Sequence, residues 1–248
     1  MSRIAWVTGA GKGLGRSVVA SLLARGWTVA VSARSESDLL TLAGEAGGSV
    51  MPFPLDVTNE QAVMETAAGI EEQIGPLDLV ILNAGTHQPL DVRDFAVEPF
   101  RTLVETNIMG VVHGLAAVLP RMIARRAGHI VVVSSVAGYR GLPTAAAYGA
   151  TKAALTNMCE ALKPQLDREG VRITVVSPGF IRTPLTDKNP FKMPFLMEPD
   201  DAAERLVRGL DSGRFEITFP RRFTWLLKVL RCLPYALYFP LVRNLDKS

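Results

Sequence analysis

The chain has 248 residues, of which 48% are hydrophobic and 21% are charged, and its formal net charge is +3. This length suits one large α/β domain, and the composition excludes wholesale disorder. The two cysteines, Cys159 and Cys232, belong to no CxxC or other metal-spaced cluster, so neither a disulfide framework nor a metal site is expected. The small net charge indicates no nucleic-acid partner. The first residues lack the long apolar run of a signal peptide, which predicts a cytoplasmic location.

Short runs rich in Val and Ile alternate with stretches of helical spacing along the chain. We predict seven buried strands at Ile4–Val7, Thr28–Ser32, Ser49–Pro54, Leu77–Leu82, His129–Ser134, Arg172–Ser177 and Phe215–Phe219. Helices are predicted at Leu14–Arg25, Glu36–Ala46, Asn59–Ile74, Pro99–Arg126 and Thr144–Glu169. Repeated βα units are typical of a doubly wound, Rossmann-type parallel sheet with helices on both faces. We therefore predict one α/β domain over residues 1–220, with ligands bound where the strands end, and an extension over residues 221–248.

A glycine-rich loop, TGAGKGLG at residues 8–15, separates the first predicted strand from the first predicted helix. Glycines allow a tight turn and a close approach of the backbone to a pyrophosphate, and the following helix offers N–H groups at its positive end. Between the first strand and helix of a βαβ unit, such a loop predicts dinucleotide binding. The predicted contacts are Gly9, Lys12, Gly13, Leu14 and Gly15.

The end of the second strand bears on the choice of cofactor. An acidic residue here would accept hydrogen bonds from the ribose hydroxyls, but the chain has Ala33 and Arg34. Arg34 and Lys12 supply two cations instead, which favours the 2′-phosphate of NADP(H) over NAD(H). The alternative is that Arg34 is only a solvated surface residue.

Two further strand ends carry candidate cofactor contacts. Asp56 and Val57 follow the third strand, and Asp56 is placed to accept a hydrogen bond from an adenine amino group. Otherwise Asp56 is a helix cap or a turn residue. The fourth strand is closed by small residues, as a backbone close to a cofactor requires: Asn83, Ala84 and Gly85.

Tyr148 and Lys152 are four residues apart in a predicted helix, so their side chains project from one face about one turn apart. An ammonium group beside a phenol favours the phenolate and lowers its pKa from the usual value near ~10. The pair therefore predicts a proton donor and acceptor usable near neutral pH.

Together these motifs, in this order, resemble the short-chain dehydrogenases/reductases over roughly residues 3–220. The glycine loop, the N-A-G element at 83–85 and the Y-x-x-x-K element at 148–152 match the family pattern. Ser135 lies thirteen residues before Tyr148, and Asn107 matches the asparagine of the long fourth helix. The loop that closes over the nicotinamide is matched by residues 177–183, with the contacts Pro178, Gly179, Ile181 and Thr183.

The resemblance implies a role for each member of a catalytic set. Tyr148 is implied as the general acid in carbonyl reduction and the base in alcohol oxidation. Ser135 would hydrogen-bond the substrate oxygen, and Lys152 would lower the pKa of Tyr148 and hold the nicotinamide ribose. Asn107 would place a water that links Lys152 to solvent. The family also pairs its fourth and fifth helices across subunits, which implies a homodimer or homotetramer.

Each assignment has a structural alternative. Asn107 within a helix can simply satisfy a buried carbonyl group, and Thr183 can cap a short helix. Ser134 is the neighbouring hydroxyl, but strand alternation and spacing favour Ser135. His87, just after the N-A-G element, is interpreted as a loop residue and not as a catalyst.

The sequence predicts an NADPH-dependent reductase of a hydrophobic aldehyde or ketone. The apolar segment Pro184–Met197, which contains Phe191, is expected to form part of the substrate lid. One alternative is a 3-oxoacyl-thioester reductase, for which Arg125 and Arg126 offer a faint basic patch. The other is a non-catalytic protein that senses NADP(H), which would have no use for an activated phenol.

The extension is basic and amphipathic. From Arg221 onward six Lys/Arg stand against one Asp, and the remainder has 27 − 6 = 21 basic and 24 − 1 = 23 acidic residues. One helical stripe is expected to be apolar, with Lys228 and Arg231 away from it and Pro234 ending the helix; the stripe is Leu226, Leu230 and Leu233. Prolines and central cations argue against a transmembrane span. The segment 221–240 fits a peripheral contact with the inner face of a membrane. The alternatives are packing on the body or on a partner subunit, or covering the substrate pocket.

Overall fold

A seven-stranded, all-parallel sheet in the order β3-β2-β1-β4-β5-β6-β7 organises the protein. The computed structural model describes residues 3–188 and 193–243. The strands are β1 (Arg3–Thr8), β2 (Trp27–Ser32), β3 (Val50–Pro52), β4 (Leu79–Leu82), β5 (His129–Val133), β6 (Arg172–Pro178) and β7 (Glu216–Phe219). The predicted doubly wound α/β fold is confirmed, since β1 and β4 are adjacent inside the sheet and the strand order reverses between them.

Helices cover both faces of the sheet. They are α1 (Gly13–Leu23), α2 (Glu36–Glu45), α3 (Glu60–Gln73), α4 (Val97–Leu103), α5 (Gly110–Ala124), α6 (Ala146–Arg168), α7 (Pro199–Leu210), α8 (Arg221–Cys232) and α9 (Tyr235–Val242). One apolar core joins α1, α2 and α7 to the sheet, and the other joins α3, α5 and α6 to the opposite face. The central strands are therefore buried on both sides, which explains why β4 is wholly apolar and β5 is apolar after His129.

The predicted helix Pro99–Arg126 is not uniform. α4 and α5 are joined by a π-helical turn at Val104–Met109, which the apolar spacing did not indicate. The stretch Val97–Ala124 is long and apolar enough to cross a membrane, but half of its most apolar window is buried inside the protein. It is therefore explained as a core element. The π-turn is where Asn107 lies, and π-turns are frequent at functional sites.

The predicted start of α6 at Thr144 is wrong by two residues. Thr144 has a left-handed backbone, with φ of 60°, and the helix begins at Ala146. A left-handed residue cannot continue a right-handed helix, and sequence spacing does not show this. Tyr148 consequently lies in the first turn of α6.

In the described part of the extension, residues 221–243, two helices pack against the body. α8 ends at Cys232, and Pro234 precedes α9, as the proline predicted. The predicted stripe is partly wrong, because Leu226 is 55% exposed while Phe223 is buried. The reason is that the rings of Phe180 and Phe195 lie 5.6 and 5.8 Å from that of Phe223 and fix the rotation of α8.

Polar contacts secure the same extension. Lys228, expected to point away, donates to the carboxylate of Glu216 on β7, which also accepts from the Tyr139 hydroxyl at 2.6 Å. Arg140 donates to the carbonyl oxygens of Leu230 and Arg231 at 2.9 and 3.0 Å, where α8 ends. Its guanidinium also lies 3.8 Å from the centroid of the Tyr238 ring. The chain after β7 is therefore held by ionic, capping and stacking contacts together.

Candidate active site

A cleft of about 570 Å³ opens at the carboxyl ends of the strands. It is lined by every residue that the sequence predicted for the cofactor: Gly9, Lys12, Gly13, Leu14, Gly15, Arg34, Asp56, Val57, Asn83, Ala84, Gly85, Tyr148, Lys152, Pro178, Gly179, Ile181 and Thr183. Ser135 lines it too, whereas Asn107 does not. The sheet gathers these residues because parallel strands bring all their carboxyl ends to one edge.

The glycine loop has the shape that a pyrophosphate requires. Gly9 and Gly13 have positive φ angles of 67° and 54°, which glycine adopts without strain. A Cβ atom on Gly15 would lie 2.2 Å from the carbonyl oxygen of Gly9. α1 starts at Gly13 without a side-chain cap or an acidic residue in its first turn, so its N-terminal amides suit an anion. The loop therefore fits the phosphates of a dinucleotide.

The N-A-G element supports this loop from behind. The Asn83 amide donates to the carbonyl oxygens of Thr8 and Gly9 at 3.0 and 3.2 Å. The Thr8 hydroxyl accepts from the backbone N–H groups of Asn83 and Ala84 at 3.0 and 3.1 Å. These bonds tie the end of β4 to the end of β1, so the element shapes the cofactor loop as well as lining the cleft.

The ribose end of the cleft contains a residue that the sequence reasoning missed. Asp38, in the first turn of α2, lies 3.3 Å from the Lys12 ammonium and lines the cleft beside Arg34. Its position four residues after Arg34, in the first turn of the helix that follows β2, could have indicated that it lies near the ribose end. One of the two predicted cations is therefore already paired, and Arg34 remains exposed at this end of the cleft.

Asp56 was predicted as a contact of the adenine, with a helix cap or a turn residue as the alternative. Its carboxylate accepts hydrogen bonds from the backbone N–H and the hydroxyl of Thr58 at 3.0 and 2.8 Å. The cap of α3 is instead Asn59, which accepts from Ala62 N–H. Asp56 is thus a turn residue whose side chain also lines the cleft.

Ser135 and Tyr148 meet at the floor of the cleft. Ser135 caps a short 3₁₀ turn after β5, where its hydroxyl accepts from Ala137 N–H at 3.1 Å, and it lies close enough to Tyr148 to affect the pKa of that phenol. Ser134 points the other way, donating to the carbonyl oxygen of Lys152 at 2.8 Å and contacting Thr156. Strand alternation therefore separates the two hydroxyls as expected.

The predicted lowering of the Tyr148 pKa is wrong for these side-chain positions. Desolvation by the surrounding protein raises the pKa of Tyr148 to about 12, and the hydrogen bond with Ser135 opposes the rise. The Lys152 ammonium lies 5.7 Å from the Tyr148 ring centroid and donates to the Val133 carbonyl oxygen at 2.8 Å. Burial in turn lowers the pKa of Lys152 to about 8. The helical spacing correctly predicted that Tyr148 and Lys152 are neighbours, but it could not predict that burial desolvates both groups.

Asn107 lies behind the cleft, fully buried in the π-turn. Its amide N–H groups donate to the Thr86 carbonyl oxygen and the Thr151 hydroxyl at 3.0 and 3.1 Å. Its side-chain oxygen accepts from the Thr86 N–H at 2.7 Å. These bonds fit the alternative that Asn107 satisfies buried backbone groups, and they fix the loop after β4 against α6. A role in proton relay stays a prediction.

Two more residues complete the surroundings of Tyr148. His87 is buried, and its ring lies edge-on to that of Tyr148 with centroids 4.7 Å apart, which its loop position did not reveal. Across the cleft, the Thr183 carbonyl oxygen accepts from Thr186 N–H at 2.9 Å, and the predicted cap by its side chain stays a prediction. Its methyl carbon would lie 2.9 Å from a Cβ atom on Gly13, so it closes on the glycine loop.

Arg125 and Arg126 lie far from this cleft. They follow α5 and precede β5, at the opposite edge of the sheet. Arg125 donates to Glu71 at 2.8 Å and to the Leu77 carbonyl oxygen. The basic patch considered beside the pocket is therefore not there, because a helix that returns across the sheet ends at the amino ends of the strands.

The chain is similar to known proteins in sequence and in fold. The chain matches the short chain dehydrogenase family model over residues 3–193. An uncharacterized oxidoreductase of Myxococcus xanthus (strain DK1622) is 40% identical over 246 residues, which are 98% of this chain and 97% of that one.

Two solved structures extend the comparison to cofactors. A short chain dehydrogenase/reductase from Burkholderia phymatum in complex with NAD has a TM-score of 0.84 at 23% identity, with 92% of each chain covered. A variant of actinorhodin polyketide ketoreductase with NADPH has a TM-score of 0.80 at 28% identity, covering 88% of this chain and 95% of the other. With its glycine loop and its Ser-Tyr-Lys cleft, the chain belongs to the short chain dehydrogenase family and is an NAD(P)-dependent dehydrogenase or reductase.

Proposed function

We propose that this protein is an NADP(H)-dependent reductase of hydrophobic aldehydes or ketones, which also runs the reverse alcohol oxidation. The observation that carries the proposal is the position of Ser135, Tyr148 and Lys152 on one wall of the cleft that the glycine loop closes at the other end. Both residues line the cleft, and the Ser135 hydroxyl lies close enough to Tyr148 to oppose the rise in its pKa. A carbonyl oxygen placed there would meet two donors at once.

The residues divide the proton chemistry between them. The bound cofactor supplies the hydride. The Tyr148 hydroxyl gives its proton to the carbonyl oxygen, and the Ser135 hydroxyl holds that oxygen as negative charge develops. The nearby Lys152 ammonium stabilises the phenolate that remains. Asn107 keeps the loop after β4 in place through its bonds to Thr86.

The preference for NADP(H) rests on charge at the ribose end. Arg34 and Lys12 line this end of the cleft, and guanidinium and ammonium groups suit a 2′-phosphate. Asp38 holds Lys12 at 3.3 Å and reduces its contribution, so Arg34 carries most of the selectivity. The fold alone does not choose, because one structural neighbour carries NAD and another carries NADPH.

The apolar substrate is supported by the segment after β6. Leu185 lines the cleft, Met197 is buried, and Phe195 packs against Phe223 of α8. Met193 is half-buried in the same segment. Phe191, which the sequence also assigned to the lid, lies outside the described residues. Arg125 and Arg126 do not lie beside the cleft, so they cannot form a docking patch for an acyl-carrier protein there. A free carbonyl substrate is therefore favoured over a carrier-bound thioester.

The test is NADPH oxidation over a panel of apolar aldehydes and ketones. Tyr148→Phe should lower kcat by about 10²–10⁴-fold while NADPH binding is kept, because the proton donor is lost and the glycine loop is not. Tyr235→Phe is the matched control, since Tyr235 is 69% exposed on α9 and should leave kcat unchanged. Undiminished turnover in Tyr148→Phe would rule out the mechanism. Tight NADPH binding with no turnover of any substrate by the unmodified chain would instead favour a sensor.

A further inference from the structure

The outer surface of α8 and α9 is unusually apolar for a face in contact with solvent. Among the residues that the structure describes, fourteen large hydrophobic side chains are exposed, and half of these lie on the two helices. They are Trp225, Leu226, Val229, Tyr235, Leu237, Phe239 and Leu241, with exposed fractions of 55–69%. Such a concentration marks a contact surface, whereas single exposed hydrophobic residues do not.

α9 shows most clearly that apolar side chains are exposed to solvent on this face. Its eight residues, YALYFPLV, carry no charge, yet only Tyr238 and Val242 are buried against the body. Tyr235 and Phe239 stack with ring centroids 5.5 Å apart on the outside of the helix. A helix that is apolar all round is normally enclosed on all sides. The outer side of α9 therefore lacks the apolar surroundings that its composition suits.

Charge distinguishes between two possible occupants of this face. Residues 221–243 contain five basic residues and no acidic one. Lys228 is paired with Glu216, while Arg221, Arg222 and Arg231 are exposed. A symmetric contact with a second copy would oppose the same surfaces and so bring arginines against arginines. An anionic bilayer instead attracts arginines and accepts the apolar side chains, and Trp and Tyr favour its interface.

α8 is firmly attached to the body of the protein. Phe223 packs behind the cleft wall, where a Cβ atom on Gly179 would lie 2.9 Å from its ring. Lys228 and Arg140 hold the two helices to β7 and to the loop after β5. Of the outward side chains, Tyr235 shares in this attachment, since the Arg140 guanidinium lies 5.0 Å from its ring centroid. The Phe223 packing and the Lys228 ion pair do not involve the outward side chains, so the face can enter an interface without loss of these contacts.

We propose that the outer face of α8 and α9 binds the surface of an anionic lipid bilayer, with the apolar side chains in the interface and the arginines at the lipid phosphates. The contact is peripheral, since α9 has only eight residues and lies along the surface of the protein. It is distinct from the nicotinamide site and does not depend on the identity of the carbonyl substrate.

The experiment is sedimentation of the full chain with vesicles of phosphatidylcholine alone or with about one-third phosphatidylglycerol. Binding is expected only to the anionic vesicles, and it should weaken as salt rises through screening of the arginines. Quenching of Trp225 fluorescence by brominated lipid tails, absent in Trp225→Phe, reports the depth of insertion.

Two variants and a matched control test the two halves of the face. Leu226→Gln with Leu237→Gln, and separately Arg221→Glu with Arg222→Glu, should each weaken binding about tenfold or more. Leu40→Gln is the control, because Leu40 is 55% exposed like Leu226 but lies on α2. Thermal unfolding with and without NADPH verifies that every variant is folded.

Three results would overturn the proposal. The first is no binding of the unmodified chain to anionic vesicles at low salt. The second is equal binding by the Leu226→Gln, Leu237→Gln variant. The third is self-association, measured by sedimentation equilibrium, that this variant abolishes while vesicles bind neither form, which would assign the face to a second copy.

Discussion

Burial shifts Tyr148 and Lys152 in directions opposite to those that a charged pair alone would give. Desolvation raises the pKa of the phenol to about 12 and lowers that of the ammonium to about 8. Both shifts favour the neutral forms, because the low-dielectric surroundings penalise either charge. The phenol therefore stays protonated around neutral pH and can donate its proton, although the raised pKa makes it a weaker acid than a solvated phenol.

The rate of carbonyl reduction should depend on pH through Lys152. Tyr148 stays protonated through the neutral range, whereas Lys152 loses its charge as pH rises through about 8. We expect kcat/KM for reduction to be level below that pH and to fall above it, and alcohol oxidation to rise with pH as the phenolate forms. Lys152→Arg should move the fall to higher pH, since a guanidinium stays charged. A level reduction profile up to pH 10 in the unmodified enzyme would contradict this assignment.

Cofactor choice should follow two side chains at the ribose end. Arg34→Asp should weaken NADPH binding much more than NADH binding, because a carboxylate repels the 2′-phosphate and accepts from a ribose hydroxyl. Asp38→Asn should strengthen NADPH binding, because it releases Lys12 from the ion pair at 3.3 Å. Titration of each variant with NADPH and with NADH, followed by nucleotide fluorescence, measures the ratio of the two dissociation constants. Equal effects of Arg34→Asp on both cofactors would show that Arg34 is a solvated surface residue.

At the scale of elements, the junction between β1 and α1 sets the limits of the cofactor loop. Gly15→Ala would place a Cβ atom 2.2 Å from the Gly9 carbonyl oxygen and 2.6 Å from the Asn83 amide. We expect a loss of about 1–3 kcal/mol in the free energy of unfolding, as for other overpacked sites, and much weaker NADPH binding. Thermal unfolding with and without NADPH measures both effects.

Gly44→Ala provides the matched control for that change. Gly44 lies within α2, and a Cβ atom there would meet nothing within 4 Å. Alanine should therefore stabilise the protein by about 0.5–1 kcal/mol through helix propensity, with NADPH binding unchanged. Similar changes in stability and NADPH binding for both glycine variants would show that the glycine loop does not depend on close backbone contact.

The elements themselves were predictable where their cause is local. Val- and Ile-rich runs gave all seven strands, and Pro234 marked the end of α8. The π-turn around Asn107 and the delayed start of α6 at Ala146 were not predicted. Both depend on contacts with distant parts of the chain, such as the bonds from Asn107 to Thr86 and Thr151, which periodicity does not contain.

On the scale of the whole molecule, Arg140 should govern how firmly the extension is held. Arg140→Ala removes the hydrogen bonds to the carbonyl oxygens at the end of α8 and the stacking on Tyr238. We expect the free energy of unfolding to fall by about 1.5–3 kcal/mol, the usual worth of a hydrogen bond from a charged donor, and proteolysis after β7 to speed up. Arg140→Lys should be intermediate, because it keeps the charge but not the planar group. Unchanged proteolysis of Arg140→Ala would show that apolar packing around Phe223 alone holds the helices. Association between copies stays a prediction at this scale.

The sequence by itself determined the parallel α/β fold and the glycine loop, and the family resemblance joined Ser135 to Tyr148 and Lys152 in a predicted catalytic set. The fold and the loop follow from periodicity and from residues that are adjacent in the chain. Only the tertiary structure decided that Asp38 pairs with Lys12, that His87 lies against Tyr148 and that Leu226 faces outward. The physical reason is that desolvation and pairing depend on which distant segments are brought together, and a linear pattern holds no information on that packing.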